Sequence, residues 1–120
     1  MAYYEHLPIY RKAMKTAIYF ETIVRNFSRY NKYSLGAEMR EKSREMVKII
    51  IKANSTGDKL PLLLELREAT EELKTLVRIS KETGAFKNFN AFAHAIECVV
   101  SVSKQNEGWI RSLAKTKKRA

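Results

Sequence analysis

Apolar residues in this chain recur at steps of three and four. In the first segment Tyr10, Ala13, Ala17, Phe20, Val24 and Phe27 follow that rhythm, and further on Leu62, Leu66, Ala69, Leu73 and Leu76 repeat it, ending on Ser80. Such spacing keeps one face of an α-helix apolar and lets helices pack along a seam. The pattern predicts four helices. The first runs from about Leu7 to Phe27, with Pro8 in the first turn, where its missing N–H costs no helical bond. After a polar stretch containing Ser28, Arg29, Tyr30, Asn31, Lys32 and Tyr33, Ser34 is the expected N-cap of a second helix through Leu35, Met39, Met46, Ile50 and Ala53. Asn54, Ser55, Thr56 and Gly57 end it. A third helix starts between Asp58 and Pro61 and continues to Glu82, with Gly84 as its C′ residue. Asn88 or Asn90 caps a fourth, expected to run to Ala114 with a seam of Phe92, Ile96, Val99, Ser103, Asn106, Ile110 and Leu113. Short loops make neighbouring helices antiparallel. The expected fold is therefore all-α, an antiparallel up-down-up-down four-helix bundle over residues 1–114, followed by a basic C-terminal tail at 115–120.

Composition supports long uninterrupted elements. Four Gly and two Pro in 120 residues is well below the roughly 12% of an average protein. The longest apolar runs are far shorter than the ~20 residues of a membrane span, and no signal peptide is visible, so no membrane association and a cytoplasmic location are expected. The single cysteine, Cys98, cannot form an intrachain disulfide. Two segments are more apolar than one bundle requires: Thr16 to Phe20 in the first helix and Ala91 to Val102 in the fourth. That excess suggests burial against a second copy, the alternative being a wide stripe in a tight monomer core.

The charge changes the picture most. The formal net charge is +10, and residues 83–120 carry half of it, seven Lys/Arg against two Glu. A bundle needs no such excess to fold, and self-repulsion opposes compactness, so an anionic partner is expected. Arg11 and Lys15 lie four apart on the first helix, Arg40, Arg44 and Lys48 form a row on the second, and Lys74 and Arg78 project together from the otherwise acidic third. Rows of this kind are the electrostatic footprint of nucleic-acid binding, although each taken alone also fits a solvated face paired with Glu. Tyr30 and Tyr33 stand among bases, where aromatic rings can stack on nucleobases or can pack over a bundle end.

Enzyme chemistry finds little support. Asp58 is the sole aspartate, the glycines at 36, 57, 84 and 108 form no phosphate-cradling cluster, and Glu68, Glu71 and Glu72 read as a solvated face. His94 and Cys98 are four apart, but two donors fall short of the three or four that a zinc site takes. No catalytic residue, metal or cofactor is expected.

Four segments carry a resemblance: "LPIYRKAM", "NFSRYNKYSLGAEMRE", "ELKTLVRIS" and "EGWIRSLAK". They resemble the accessory variability proteins of diversity-generating retroelements and, more distantly, the four-helix proteins encoded by intervening sequences in bacterial 23S rRNA genes. The basic-aromatic-x-Leu-Gly junction of the former is matched by Lys32, Tyr33, Leu35 and Gly36, their helical arginine pair by Lys74 and Arg78, and their terminal Gly-Trp by Gly108 and Trp109. Lys74 departs from the expected arginine, which removes a bidentate phosphate contact. Ser28 stands where a proline often follows the phenylalanine. The "IPSNIAEG"-like segment of the ribosomal-insert relatives is replaced by "REMVKIIIKANS". The resemblance implies a pentameric barrel of four-helix bundles without catalytic activity of its own, which binds the reverse transcriptase and template RNA or its cDNA. On that reading Lys74 and Arg78 are the leading contact residues, with Arg40, Arg44, Arg11 and Lys15 as supporting charge. The rivals are a ribosomal-insert-type bundle and a protein-interaction scaffold with an acidic partner.

Overall fold

The computed structural model describes residues 4–119, and the side chains of residues 4–116. A 3-10 turn at Tyr4–His6 leads into α1 (Pro8–Val24), a single turn α2 (Arg29–Lys32), α3 (Leu35–Asn54), α4 (Leu60–Glu82) and α5 (Phe89–Arg119). No strand occurs among the described residues. The four long helices form a closed ring of neighbours: α1 packs against α3 and α5, and α4 packs against the same two. Cross-helix contacts fix the directions. Arg67 meets Glu107 while Lys81 meets Phe92; Arg40 meets Glu21 while Gly36 abuts Val24; Lys42 meets Glu72 while Met39 meets Ser80; and Tyr19 meets Ala91 while Pro8 lies by Gln105 and Trp109, so each neighbouring pair is antiparallel. The result measures 52 × 27 × 20 Å.

The core follows the predicted seams, with one rotation. Ala13, Ala17, Phe20, Val24 and Phe27 are buried, as are Leu66, Ala69, Leu73 and Ser80. On α5 the buried line is Ala95, Cys98, Val99, Val102 and Asn106, while Phe92, Ile96, Ser103 and Ile110 are only half-buried. The expected seam lay to one side of the true one because small residues such as Ala95 face the crowded axis. α5 also runs on to Arg119, past the expected stop at Ala114. Of the tail expected at 115–120, the side chains of Lys117, Lys118 and Arg119 and all of Ala120 lie outside the described residues.

The helix ends show how the sequence sets the connections. Gly84, with φ 76°, closes α4: its N–H reaches Lys81 O at 3.1 Å and the next N–H, of buried Ala85, reaches Ser80 O at 2.8 Å. These two bonds form a Schellman cap, which needs a left-handed residue at this point. Asn88 rather than Asn90 starts α5, its Oδ1 accepting the Ala91 N–H at 2.8 Å. Ser34 precedes α3 but does not cap it through its side chain; its Oγ donates to Tyr30 O at 2.8 Å and so ties down α2 instead. The end of α3 is sealed by a residue that the pattern did not single out. Lys59 Nζ donates to the carbonyls of Ala53, Asn54 and Thr56 at 2.9, 3.3 and 2.7 Å, so that its three ammonium donors serve three carbonyls at this helix end.

Candidate nucleic-acid and partner interface

The six expected contact residues occupy very different environments. Arg40 is half-buried and reaches from α3 to α1. Its Nη2 donates to Glu21 O at 3.0 Å, and its Nε lies 3.1 Å from Glu21 Oε2, off the hydrogen-bond axis. Arg44 pairs with the other oxygen of the same carboxylate. The two arginines therefore clamp α3 to the C-terminal turn of α1, and one acid serves both. Glu45, which lies beside this row in sequence, is taken by Lys42 at 3.1 Å; Lys42 also reaches Glu72 on α4 at 2.6 Å. Both carboxylates raise the Lys42 pKa by hydrogen bonding, Glu72 more than Glu45.

On α4, Lys74 is largely covered, with 17% of its side chain exposed. Its Nζ donates to Glu71 Oε1 at 2.9 Å and to Ser103 Oγ of α5 at 3.4 Å. Arg78, one turn on, is exposed and has no ion-pair partner among the described residues. On α1, Arg11 is exposed, but its Nε donates to Glu5 O at 3.2 Å and fastens the N-terminal 3-10 turn. Lys15 is exposed and unpaired among the described residues. The structure thus does not gather the six into one cluster: Arg40 and Arg44 share one carboxylate, Lys74 bridges two helices, and Arg78 and Lys15 stand free on different helices.

A third interhelical clamp joins Arg67 of α4 to Glu107 of α5, with Nε and Nη2 donating to the two carboxylate oxygens at 2.9 and 2.7 Å. The guanidinium holds the Glu107 carboxyl below its ordinary range. A cleft of about 610 Å³ between α3 and α4 is lined by Glu38, Glu41, Glu71 and Glu72 with Lys42, Thr75 and Leu76. Four carboxylates around one lysine repel phosphate, so this cleft is the wrong place for a nucleic-acid backbone.

The cysteine environment carries no site. Cys98 is buried, its Sγ 3.6 Å from His94 Nε2, and burial pushes its thiol pKa up. Tyr19 packs edge-on against His94 and donates its hydroxyl to Ala91 O at 3.0 Å. Among the described residues, no three His, Cys, Asp or Glu side chains come together to hold a metal ion, and no helix is long and apolar enough to cross a membrane.

What remains is an all-α four-helix bundle with a Leu35-Gly36 junction, where α3 begins against α1. A Cβ on Gly36 would lie 2.5 Å from Val24 Cγ1. The model of the bAvd-like family matches residues 8–113 of this chain. The chain belongs to the bAvd-like family. That is the family of the accessory variability determinant proteins, and the match runs from the first turn of α1 to deep into α5, so it covers the whole bundle. No curated protein matches the chain. Within this bAvd-like bundle, sequence reasoning missed two features of the charged surface. One is Glu21 as the shared anchor of Arg40 and Arg44, which only the α1–α3 crossing could reveal. The other is Phe89, 67% exposed beside the α4–α5 loop; a phenylalanine at the first position of a helix, outside the seam, was the signal available.

Proposed function

We propose that the protein is a non-catalytic accessory subunit of a diversity-generating retroelement, assembled as a homo-oligomer of five copies, that binds the reverse transcriptase together with template RNA or its cDNA. Family membership supplies the element. The observation that carries the binding mode is the distribution of paired and unpaired charge. The chain has 23 Lys/Arg against 13 Asp/Glu, and six of the acids, Glu21, Glu38, Glu41, Glu71, Glu72 and Glu107, stand in interhelical clamps and the α3–α4 cleft. Lys15, Arg25, Arg29, Lys48, Arg78 and Lys104 are left exposed without an ion-pair partner among the described residues. Unpaired cations in excess attract a polyanion and release its counterions on contact. Arg78 is the free cation of the expected pair. Lys74, bonded to Glu71 and Ser103, lies one turn before it at the α4–α5 seam, and Arg40, Arg44 and Arg11 act chiefly by shaping the surface.

Co-purification with the reverse transcriptase and template RNA tests this. The wild-type protein retains both. Arg78→Glu weakens retention, and Lys74→Glu with Arg78→Glu abolishes it. Because Lys74→Glu sets a carboxylate beside Glu71, Lys74→Gln with Arg78→Glu controls for loss of the fold, and thermal unfolding by circular dichroism is read for all variants. Full retention by folded variants would remove these residues from the interface.

A further inference from the structure

The loop end of the bundle is built differently from the rest of its surface. There, α1 ends, α2 makes its single turn, α3 begins, and α4 hands over to α5. Tyr30, Tyr33 and Phe89 are 83%, 73% and 67% exposed, the three most exposed large apolar side chains among the described residues, and all three belong to this end. Tyr30 and Tyr33 are three apart on and just after one helical turn, so they share a face, and neither phenol makes a hydrogen bond among the described residues. The alternative that these tyrosines pack over the bundle end does not hold. That role belongs to a separate aromatic chain in which Phe27 meets Phe86 at 5.5 Å, Phe86 meets Phe92 at 5.9 Å and Phe92 meets Phe89 at 5.8 Å. Phe89 is the outer end of that chain, backed by rings and open to solvent on its other side.

The charge around these rings is lopsided. Segments 25–38 and 78–92 carry six Lys/Arg and two Glu. One of the acids, Glu82, lies 3.8 Å from Lys81. Arg25, Arg29 and Lys87 are exposed and unpaired among the described residues. Exposed rings interleaved with free cations suit a flexible polyanion that also presents flat apolar faces. An acidic peptide would use the cations and leave three rings wet; an RNA duplex would offer phosphates while keeping its bases stacked inside.

We infer that this end of the bundle is a stacking platform for single-stranded nucleic acid, with Tyr30, Tyr33 and Phe89 receiving unpaired bases and Arg25, Arg29 and Lys87 following the backbone. The inference rests on the nucleic-acid reading above and adds a place and a mode to it. Base–aromatic stacking tolerates any sequence, because every base has a π-face.

The test is fluorescence anisotropy with three probes: a mixed-sequence RNA strand of about 20 nucleotides, an abasic phosphodiester strand of the same length, and an RNA duplex. Wild-type protein is expected to bind the strand at least about fivefold more tightly than the abasic backbone. Tyr30→Ala with Tyr33→Ala removes most of that preference, and adding Phe89→Ala removes the rest. Duplex affinity and the salt slope stay unchanged, since no charge is altered. Tyr30→Trp with Tyr33→Trp retains strand binding. Unfolding would remove duplex affinity as well, so duplex binding retained by the variants shows that loss of fold does not imitate the result. Equal affinity of wild type for strand and abasic backbone would overturn the stacking inference and leave the nucleic-acid reading standing. No binding of any probe would overturn both. Loss of reverse-transcriptase binding with RNA affinity intact would assign the platform to the protein partner and overturn the inference.

Discussion

At the residue scale, the charged side chains divide into those that hold the bundle together and those that face outward, and neighbours in sequence fall on both sides of that division. Arg67 and Glu107 are forty residues apart and form a two-bond clamp; Lys48 and Arg44 are four apart, yet only Arg44 finds a carboxylate. The clamp has a pH signature. The Glu107 carboxyl is lowered by hydrogen bonding to Arg67. A depressed carboxyl contributes stability that is present above its unfolded pKa of about 4.3 and lost as pH falls through the folded value. Urea midpoints of wild type and Glu107→Gln are therefore expected to differ most near pH 7 and to converge as pH falls below the unfolded pKa and through the lower folded one. A constant offset across that range would show that the carboxylate's charge is not what the clamp uses. Cys98 illustrates the opposite case, a group whose burial leaves it chemically quiet.

At the element scale, helix existence and most boundaries were legible because the apolar steps are regular and the breakers are few. α3 and α4 fall where the pattern put them, and Gly84 closes α4 as expected. Interactions across space were not legible. Lys59, which the pattern did not single out, folds back on the last carbonyls of α3, and the buried line of α5 is set by which small residues face α1 and α4. Gly36 lies between these cases: its motif was visible, but the reason for it was not. Val24 Cγ1 would stand 2.5 Å and Asn31 O 3.2 Å from a Cβ at this position, and Val24 is fully buried and branched, with little room to yield. Gly36→Ala is expected to destabilise by about 1–3 kcal/mol through overpacking. Val24→Ala placed in that background recovers part of the loss, a coupling of at least about 0.5 kcal/mol in a double-mutant cycle of chemical unfolding. Additive effects would mean that the two helices do not meet at this point.

At the scale of the whole molecule, the apolar excess expected on two helices is distributed differently. Much of the run on α5 is absorbed by the bundle, because α1 and α4 flank that helix on both sides. Apolar side chains remain exposed as Ile18 on α1 and as Leu60, Leu64 and Ile79 on α4. These are the positions at which copies can meet. Light scattering at micromolar concentration is expected to give a mass several times the 13.9 kDa of one chain, with Ile18→Glu shifting it downward. A stable monomer would exclude the assembly.

The candidate site was legible in its charge and not in its geometry. The +10 excess is a property of the sequence, whereas the choice of which cations remain free is made by Glu21, Glu72 and Glu107 across helix interfaces and by Glu71 within α4. The central claim is that the free cations bind nucleic acid by neutralising phosphates. The salt dependence of affinity for template RNA, measured with the protein alone, tests it most directly. Log affinity is expected to fall linearly with log salt concentration, by about 0.7 for each phosphate contacted on a single strand, with a total slope of several such contacts and little change when the RNA sequence is scrambled at constant length. A flat salt response with strong preference for one short sequence would contradict the account.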